Sequence, residues 1–317
     1  MDRPTVAHGR SIVVCCYTSD RWDRLSAAIG ATADQISPPD ELIVVVDYNE
    51  ELLARVRAEF DDLAIVAANR HESGLSGARN TGVELASQPI VLFLDDDATP
   101  APDWVDALAA SFSDPTVVGV GGSARPDWAG GEPPWWFPEE FFWVVGCSYR
   151  GLPERRAPIR NPIGCNMAFR KEAISHVGGF SAELGRVKNK PAGAEETDLA
   201  IRVRSATGGT ILYEPDAVVR HAVGESRMTL SYFTKRCYGE GRSKAVLARR
   251  VGAGDATSSE RSYLKTLATG AASRLGRVVR TRRLRPLGQV LVLALGLAAT
   301  GLGFTAGTIA DFVGSRR

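Results

Sequence analysis

Acidic side chains are missing from one long stretch of this chain. Between Arg261 and Ala310 there is no aspartate or glutamate, yet seven arginines and one lysine are present, six of the arginines between Arg274 and Arg285. The net charge of +1 over 317 residues conceals that asymmetry. Cysteine is scarce. There are five, an odd number without metal-ligand spacing, so neither a disulfide framework nor a structural zinc site is expected. Cys15 and Cys16 adjoin in an apolar run, where successive side chains leave opposite faces of a strand. All five read as reduced thiols of a cytosol-facing protein. Met1 to Arg10 has no apolar run, so no secretory leader is expected. Phosphate-loop signatures are missing as well. No GxGxxG follows the first strand-like run and no GxxxxGK(S/T) occurs, which argues against a dehydrogenase-type dinucleotide fold and a P-loop. There is no internal repeat and no low-complexity tract.

What is present suits a globular protein with a core: 44% hydrophobic and 24% charged residues, in a length that fits one large domain or two small ones. Pro286 to Ala310 gives 25 uncharged residues rich in Leu, Ala, Val and Gly. As a helix they would extend roughly 38 Å at 1.5 Å per residue, enough to cross a hydrocarbon core of about 30 Å with some tilt. The arginine cluster before it favours the cytoplasmic side for the preceding domain and suits anionic head groups. Ala299, Gly303 and Gly307 recur at every fourth position and suit close helix packing. A buried core helix, or one lying in the membrane interface, has the same composition.

The first hundred residues alternate strand and helix patterns. Ser11–Tyr17, Glu41–Asp47, Leu63–Ala67 and Pro89–Leu94 read as strands. Asp20–Ile36, Glu50–Phe60 and Leu75–Ser87 read as helices. Continuous apolar strands between helices predict a mostly parallel twisted sheet covered on both faces. Ligands bind such sheets beyond the carboxyl ends of the strands, where Tyr17, Asp47 and the run Asp95-Asp96-Asp97 fall. Three adjacent carboxylates after a buried strand call for positive charge. A divalent cation carrying a diphosphate is the candidate, because hard cations take oxygen ligands. A solvated acidic turn is the alternative. Gly74 to Asn80 (GLSGARN) opens the third helix, where Arg79 could pair bidentately with a phosphate or stand as a surface charge.

Beyond Asp103 the pattern loosens. Val117–Gly121, Ile163–Phe169, Thr210–Tyr213 and Ala217–Val219 read as strands, with helices from Lys171 and around Leu199–Val203. Arg125 to Trp143 holds four of the six tryptophans and four prolines in a loop-like stretch. Trp135, Trp136 and Trp143 could stack on sugar faces or meet lipid head groups, or the loop could fold onto the core.

Several segments, taken in order, resemble the family 2 glycosyltransferases of the GT-A fold: VVCCYTSDRW at 13–22, VVVD at 44–47, GLSGARN at 74–80, FLDDDA at 93–98, GCNMAFRK at 164–171, AEETDLAIRV at 194–203 and VVRHAV at 218–223. The stretch PEEFFWVVGCSYRGLPE at 138–154 resembles an archaeal-type branch that adds glucuronic acid to a glucosylated dolichyl phosphate. The resemblance implies transfer of a sugar from a nucleotide diphosphate to an acceptor hydroxyl. It implies nucleotide-sugar binding by Tyr17, Thr18, Asp47, Arg79, Asp95 and Asp96. It implies Mg²⁺ or Mn²⁺ on Asp95, Asp97 and His221, although His221 after a strand could equally be structural. It places the catalytic base at Glu196, with Glu195 second, where the family usually has Glu-Asp. A carboxylate in the first turn of a helix is held ionised by the helix dipole, as a base must be.

The expected organisation is a GT-A domain over 1–245 (1–100 for the nucleotide, 101–245 for the acceptor). A basic juxtamembrane segment over 246–285, a membrane helix over 286–310 and a tail over 311–317 follow. The expected donor is a UDP-sugar, the acceptor a lipid-linked sugar, and the reaction an inverting, single-sugar transfer. Trp135, Trp136 and Trp143 are the acceptor candidates. Transfer to polyprenyl phosphate or a cell-wall glycan is the second reading, and a non-catalytic, membrane-tethered sugar-binding protein the third. No nucleic-acid partner is expected.

Overall fold

The computed structural model describes residues 9–182, 194–251 and 260–314. In chain order the strands are β1 (Arg10–Cys16), β2 (Glu41–Val46), β3 (Ile65–Ala68), β4 (Ile90–Asp95), β5 (Ala98–Pro100), β6 (Val117–Trp128), β7 (Ala157–Pro158), β8 (Asn166–Arg170) and β9 (Thr210–Val223). The helices are α1 (Trp22–Ala33), α2 (Glu50–Phe60), α3 (Leu75–Leu85), α4 (Trp104–Ala110), α5 (Lys171–His176), α6 (Glu195–Thr207), α7 (Leu230–Val251), α8 (Glu260–Thr281) and α9 (Arg285–Gly314). Two compact units form. The first holds residues 9–125, 153–182 and 195–221; the second holds 126–152, 194, 222–251 and 260–314.

The sheet runs β3-β2-β1-β4-β8-β6-β9-β5, with β7 beside β9. The four strands expected from the first hundred residues all form and pair in parallel. β8 then enters antiparallel to β4, and β6 antiparallel to β8. The mixed half is the part where the sequence pattern loosens. The side chains of β1 show why both faces are covered. Ile12, Val14 and Cys16 enter a core with Leu25, Ile29, Leu52, Val56, Trp104 and Leu108, while Val13 and Cys15 enter one with Ala78, Val83, Ile174, Leu199 and Val203. α1, α2 and α4 thus cover one face, and α3, α5 and α6 the other.

The sequence pattern splits β9 into two strands, because Glu214, Pro215 and Asp216 interrupt the apolar run. The structure keeps it continuous over 14 residues. On one edge β9 pairs with β7 at Leu212 and Tyr213 and with β5 from Val219 to His221. Pro215 falls between these two sections, outside the pairings with β7 and β5. Glu214 is buried, and Arg156 donates to it from Nε at 2.8 Å and Nη2 at 2.5 Å.

The second unit is helical around an aromatic core. The Pro-rich stretch leads into a 3₁₀ run over Glu139–Val145, and Trp128, Phe137, Phe141, Phe233 and Leu267 pack with Val292, Leu293 and Ala299 of α9. Glu140 is fully buried and receives two hydrogen bonds from Arg274 of α8, at 2.7 and 2.9 Å. Arg274 Nε also donates to Gln289 of α9 at 2.8 Å, which ties the two helices together. α9 contains the 25 residues Arg285–Ile309, long and apolar enough to cross a membrane.

Candidate active site

β4 delivers Asp95, Asp96 and Asp97 at the carboxyl edge of the parallel strands. β5 then turns the chain back and pairs Ala98 with His221 of β9. That pairing sets the His221 Nε2 atom 3.1 Å from Asp97 Oδ1. Asp95, Asp97 and His221 each place a donor atom within 4.8 Å of the others. Two carboxylates and an imidazole offer ligand atoms that a divalent cation could take.

The electrostatics of the cluster fit a cation. Asp96 and Asp97 are buried, and Asp96 Oδ2 finds no hydrogen-bond partner. Burial pushes the Asp96 carboxyl up to about 7, with Asp97 adding to the effect and Arg21 opposing it. Arg21, in the 3₁₀ turn Ser19–Arg21 after β1, donates to Asp96 Oδ1 at 2.7 Å and lies 3.1 Å from Asp97 Oδ2. Its guanidinium supplies part of the missing positive charge. Sequence reasoning missed Arg21; the need of the acidic run for a counter-charge was the only signal, and it does not single out one arginine.

Arg79 sits beneath the same cluster and is 1% exposed. Its Nη2 donates to Asp95 at 3.0 Å and to the Gly164 carbonyl at 2.9 Å, and its Nη1 donates to Glu195 at 3.3 Å. The fork therefore joins the Asp95–Asp97 cluster to the first turn of α6. Gly164 leaves room for it: a Cβ there would stand 3.2 Å from Nη2. Glu195 is buried with Oε2 unpartnered, whereas Glu196 is half-buried. Both lie in the first turn of α6 with Asp198, which pairs with Arg202 one turn on.

Asp47 follows β2 and organises the loop before α3. It accepts from Asn69 Nδ2 at 2.6 Å, Ser73 Oγ at 3.2 Å and the Gly74 backbone N–H at 2.9 Å. Gly74 adopts φ 135°, a conformation that disfavours any side chain, and so presents its N–H to that carboxylate. Asn69 and Ser73 were also missed from sequence. They gain meaning only once β3 and α3 bring them to Asp47.

Tyr17 is exposed at the end of β1, with the Arg21 guanidinium 5.4 Å from its ring centroid. Thr18 caps the 3₁₀ turn by accepting from the Asp20 N–H at 3.2 Å. The first unit thus gathers Tyr17, Thr18, Asp47, Arg79, Asp95, Asp96, Asp97, Glu195, Glu196 and His221 on strand ends and helix starts. The tryptophans belong to the second unit. Trp136 stacks on Phe137, Trp143 donates to the Tyr263 hydroxyl at 2.8 Å, and Trp135 is exposed.

All five cysteines are buried free thiols. Burial pushes Cys15 up to about 12. A thiol held neutral in this way neither ligates a metal nor attacks a substrate.

Comparison with known proteins agrees with this geometry. Residues 11–178 match the Glycosyl transferase family 2 profile. Over 303 residues the chain is 34% identical to the glucosyl-dolichyl phosphate glucuronosyltransferase of Haloferax volcanii, covering 94% of this chain and 96% of that protein. It is 29% identical over 213 residues to succinoglycan biosynthesis protein ExoM of Rhizobium meliloti, covering 65% of this chain and 64% of the relative. Among solved structures, a mannosyltransferase from Pyrobaculum calidifontis in complex with GDP-Man and Mn²⁺ superposes with a TM-score of 0.63 at 18% identity, over 97% of this chain and 89% of its own. A likeness at that identity shows the fold, which is GT-A.

Proposed function

The chain belongs to glycosyl transferase family 2 and is a hexose-transferring glycosyltransferase, and from that premise we propose that it moves a glucuronosyl unit from a UDP-sugar to a lipid-linked sugar acceptor. The observation that carries this reading is the Arg79 fork, which ties Asp95 of the candidate cation cluster to Glu195, the neighbour of the candidate base Glu196. The near full-length relation to the Haloferax volcanii enzyme supports the donor and acceptor classes.

Asp95, Asp97 and His221 would hold the cation, Mn²⁺ before Mg²⁺, which neutralises charge on the departing diphosphate. Tyr17, Thr18 and Asp96 line the donor side, and Asp47 shapes the loop that faces the nucleotide. Arg79 holds Asp95 and Glu195 in place through its hydrogen bonds. Glu196 takes the proton of the acceptor hydroxyl on a carboxylate oxygen. The hydroxyl oxygen attacks the anomeric carbon, the bond from that carbon to the diphosphate oxygen breaks, and the anomeric centre inverts. Trp135 is the exposed aromatic surface for an acceptor or a head group, and Trp136 and Trp143 belong to the aromatic packing of the same unit. The second unit holds the enzyme at a membrane, with the exposed arginines from Arg277 to Arg285 suited to anionic head groups.

The test is a donor and acceptor matrix. Purified protein with Mn²⁺ is given UDP-glucuronate, UDP-glucose or GDP-mannose, with glucosylated polyprenyl phosphate or bare polyprenyl phosphate. Transfer from UDP-glucuronate to the glucosylated lipid is expected. Transfer to the bare phosphate alone would replace the acceptor assignment, and no transfer from any donor would overturn the reading.

A further inference from the structure

The helical unit carries exposed apolar surface on two helices. On α9, Val292, Leu293, Ala299, Gly303 and Gly307 are buried within the unit, while Leu291, Leu295, Leu302 and Ile309 stand exposed at spacings of four and seven, and Leu297 and Phe304 stand exposed on a second line seven residues apart. Leu291 is 70% exposed and Leu302 66%. α8 repeats the arrangement: Leu267, Gly270 and Arg274 are buried, and Leu264, Leu275 and Val279 are exposed. The turn joining the two helices is flanked by exposed Arg277, Arg280, Arg282, Arg283 and Arg285.

The neighbour of α9 decides how it can meet a bilayer. Its second half runs alongside α7 in the same direction. Gly296 meets Phe233, Gly303 meets the Tyr238 carbonyl, Gly241 meets the Thr300 carbonyl, and Gly307 meets Ala245. The approach is backbone to backbone, which leaves no space for an acyl chain between the helices. Any depth given to this half of α9 is therefore given to α7 too. Along that stretch α7 bears Lys235, Arg236, Glu240, Arg242 and Lys244, followed by Arg249 and Arg250. A helix with that charge density does not enter hydrocarbon.

We propose that α9, although long and apolar enough to span, lies with α8 in the plane of an anionic membrane surface. The apolar stripes enter the acyl boundary and the arginines sit at the phosphate level. Charge selects this occupant. The sequence from Arg261 to Ala310 has basic but no acidic side chains, which suits anionic lipid. A second copy docked through the same face would set those arginines against each other. Trp135 fits the same level: it is 53% exposed, and the Arg285 guanidinium lies 5.8 Å from its ring centroid. The inference rests on the membrane role proposed above and on nothing about donor or acceptor.

Topology and lipid choice test it separately. The full chain, tagged before Met1 and after Arg317, is placed in sealed membrane vesicles and treated with protease. In-plane attachment leaves both tags on one side, so both are cut or both are protected in any one vesicle population. One tag cut and the other protected would show a span and overturn the proposal. Purified protein is then floated with vesicles of phosphatidylglycerol and phosphatidylcholine, or of phosphatidylcholine alone. Anionic vesicles should bind it far more strongly. A variant with Arg280→Glu, Arg282→Glu and Arg283→Glu should bind about a hundredfold more weakly. These side chains are exposed, and an unchanged melting temperature shows that the variant is folded. Equal binding to neutral vesicles, or a stable dimer that does not float, would overturn it. Neither arm reads glycosyl transfer, so failure of transfer counts against the proposed function alone.

Discussion

The Arg21 guanidinium and the Asp96 carboxylate are 2.7 Å apart, and the same Arg21 nitrogen lies 3.1 Å from Asp97. A side chain from the end of β1 thus stands where a cation on Asp95 and Asp97 would exert its charge. Arg21→Ala removes that counter-charge from a buried carboxylate. Without metal the variant should lose about 1–3 kcal/mol of stability. Added Mn²⁺ should raise its melting temperature by more than it raises that of the parent. Thermal melts with and without Mn²⁺ decide it. An equal rise in both proteins would show that Arg21 and the cation do not share the site.

Arg79 serves three acceptors through one planar fork: Asp95, Glu195 and the Gly164 carbonyl. Arg79→Lys keeps the charge and loses the fork, so one ammonium must choose among them. Turnover should fall by about a hundredfold through misplacement of the carboxylates, and stability by about 1–3 kcal/mol because a buried acceptor is left unpaired. Steady-state kinetics and urea denaturation on the same preparation check both. Full turnover in a folded Arg79→Lys protein would remove the fork from the mechanism.

Glu195 and Glu196 are neighbours with different surroundings. Glu195 is buried against Arg79, and Glu196 is half-buried at the opening turn of α6. Glu196→Gln should lower kcat by about 10²–10⁴-fold, the range for a general base, with little change in melting temperature. Glu195→Gln should lower the melting temperature, because Arg79 loses a charged partner. The reverse pattern would move the base to Glu195.

The parallel half of the sheet was legible because each strand is a continuous apolar run and its acids fall at one end. Asp47, Asp95 and Asp97 could be placed on a common edge without coordinates. Most partners of these acids, Arg21, Asn69 and Ser73 among them, could not. His221 was grouped with Asp95 and Asp97 by the family resemblance alone, because it reaches Asp97 through β5, three residues long and too short to leave a pattern. α4 escaped notice for a similar reason, with seven residues after a left-handed Asp103. Ala299, Gly303 and Gly307 did announce a close helix contact. Their partner, α7, was hidden because it is charged and does not look like a membrane neighbour.

Cys15 gives a pH prediction. Burial holds its thiol up at about 12, against about 8.5 in an unfolded chain. The raised value means that the folded state keeps a proton the unfolded state releases. The stabilisation is therefore complete below about pH 8.5 and is lost as pH climbs toward the folded value. Reactivity follows the same sign. An aromatic disulfide reagent at pH 8 should label none of the five buried thiols in the native protein and all five in guanidinium. Fast native labelling located at Cys15 or Cys16 would show that the first strand is open to solvent.

Glu140 and Arg274 form a two-bond ion pair whose side chains are 0% and 4% exposed. Burying both charges costs solvation, so the pair is weak evidence of net stability while its rupture is costly. Arg274→Met leaves the buried Glu140 carboxyl without its two hydrogen bonds from Arg274 and should cost about 3–5 kcal/mol. The double variant Glu140→Leu, Arg274→Met removes both charges at similar volume and should recover most of that loss. Gly270 marks how tightly the site is filled, since a Cβ there would collide with Glu140 Oε1. Gly270→Ala should therefore resemble Arg274→Met in sign and should improve when Glu140 is shortened. Urea midpoints for the two single variants and the Glu140→Leu, Arg274→Met double give the coupling directly. A double variant no more stable than Arg274→Met would mean that lost packing, rather than an orphaned charge, sets the cost.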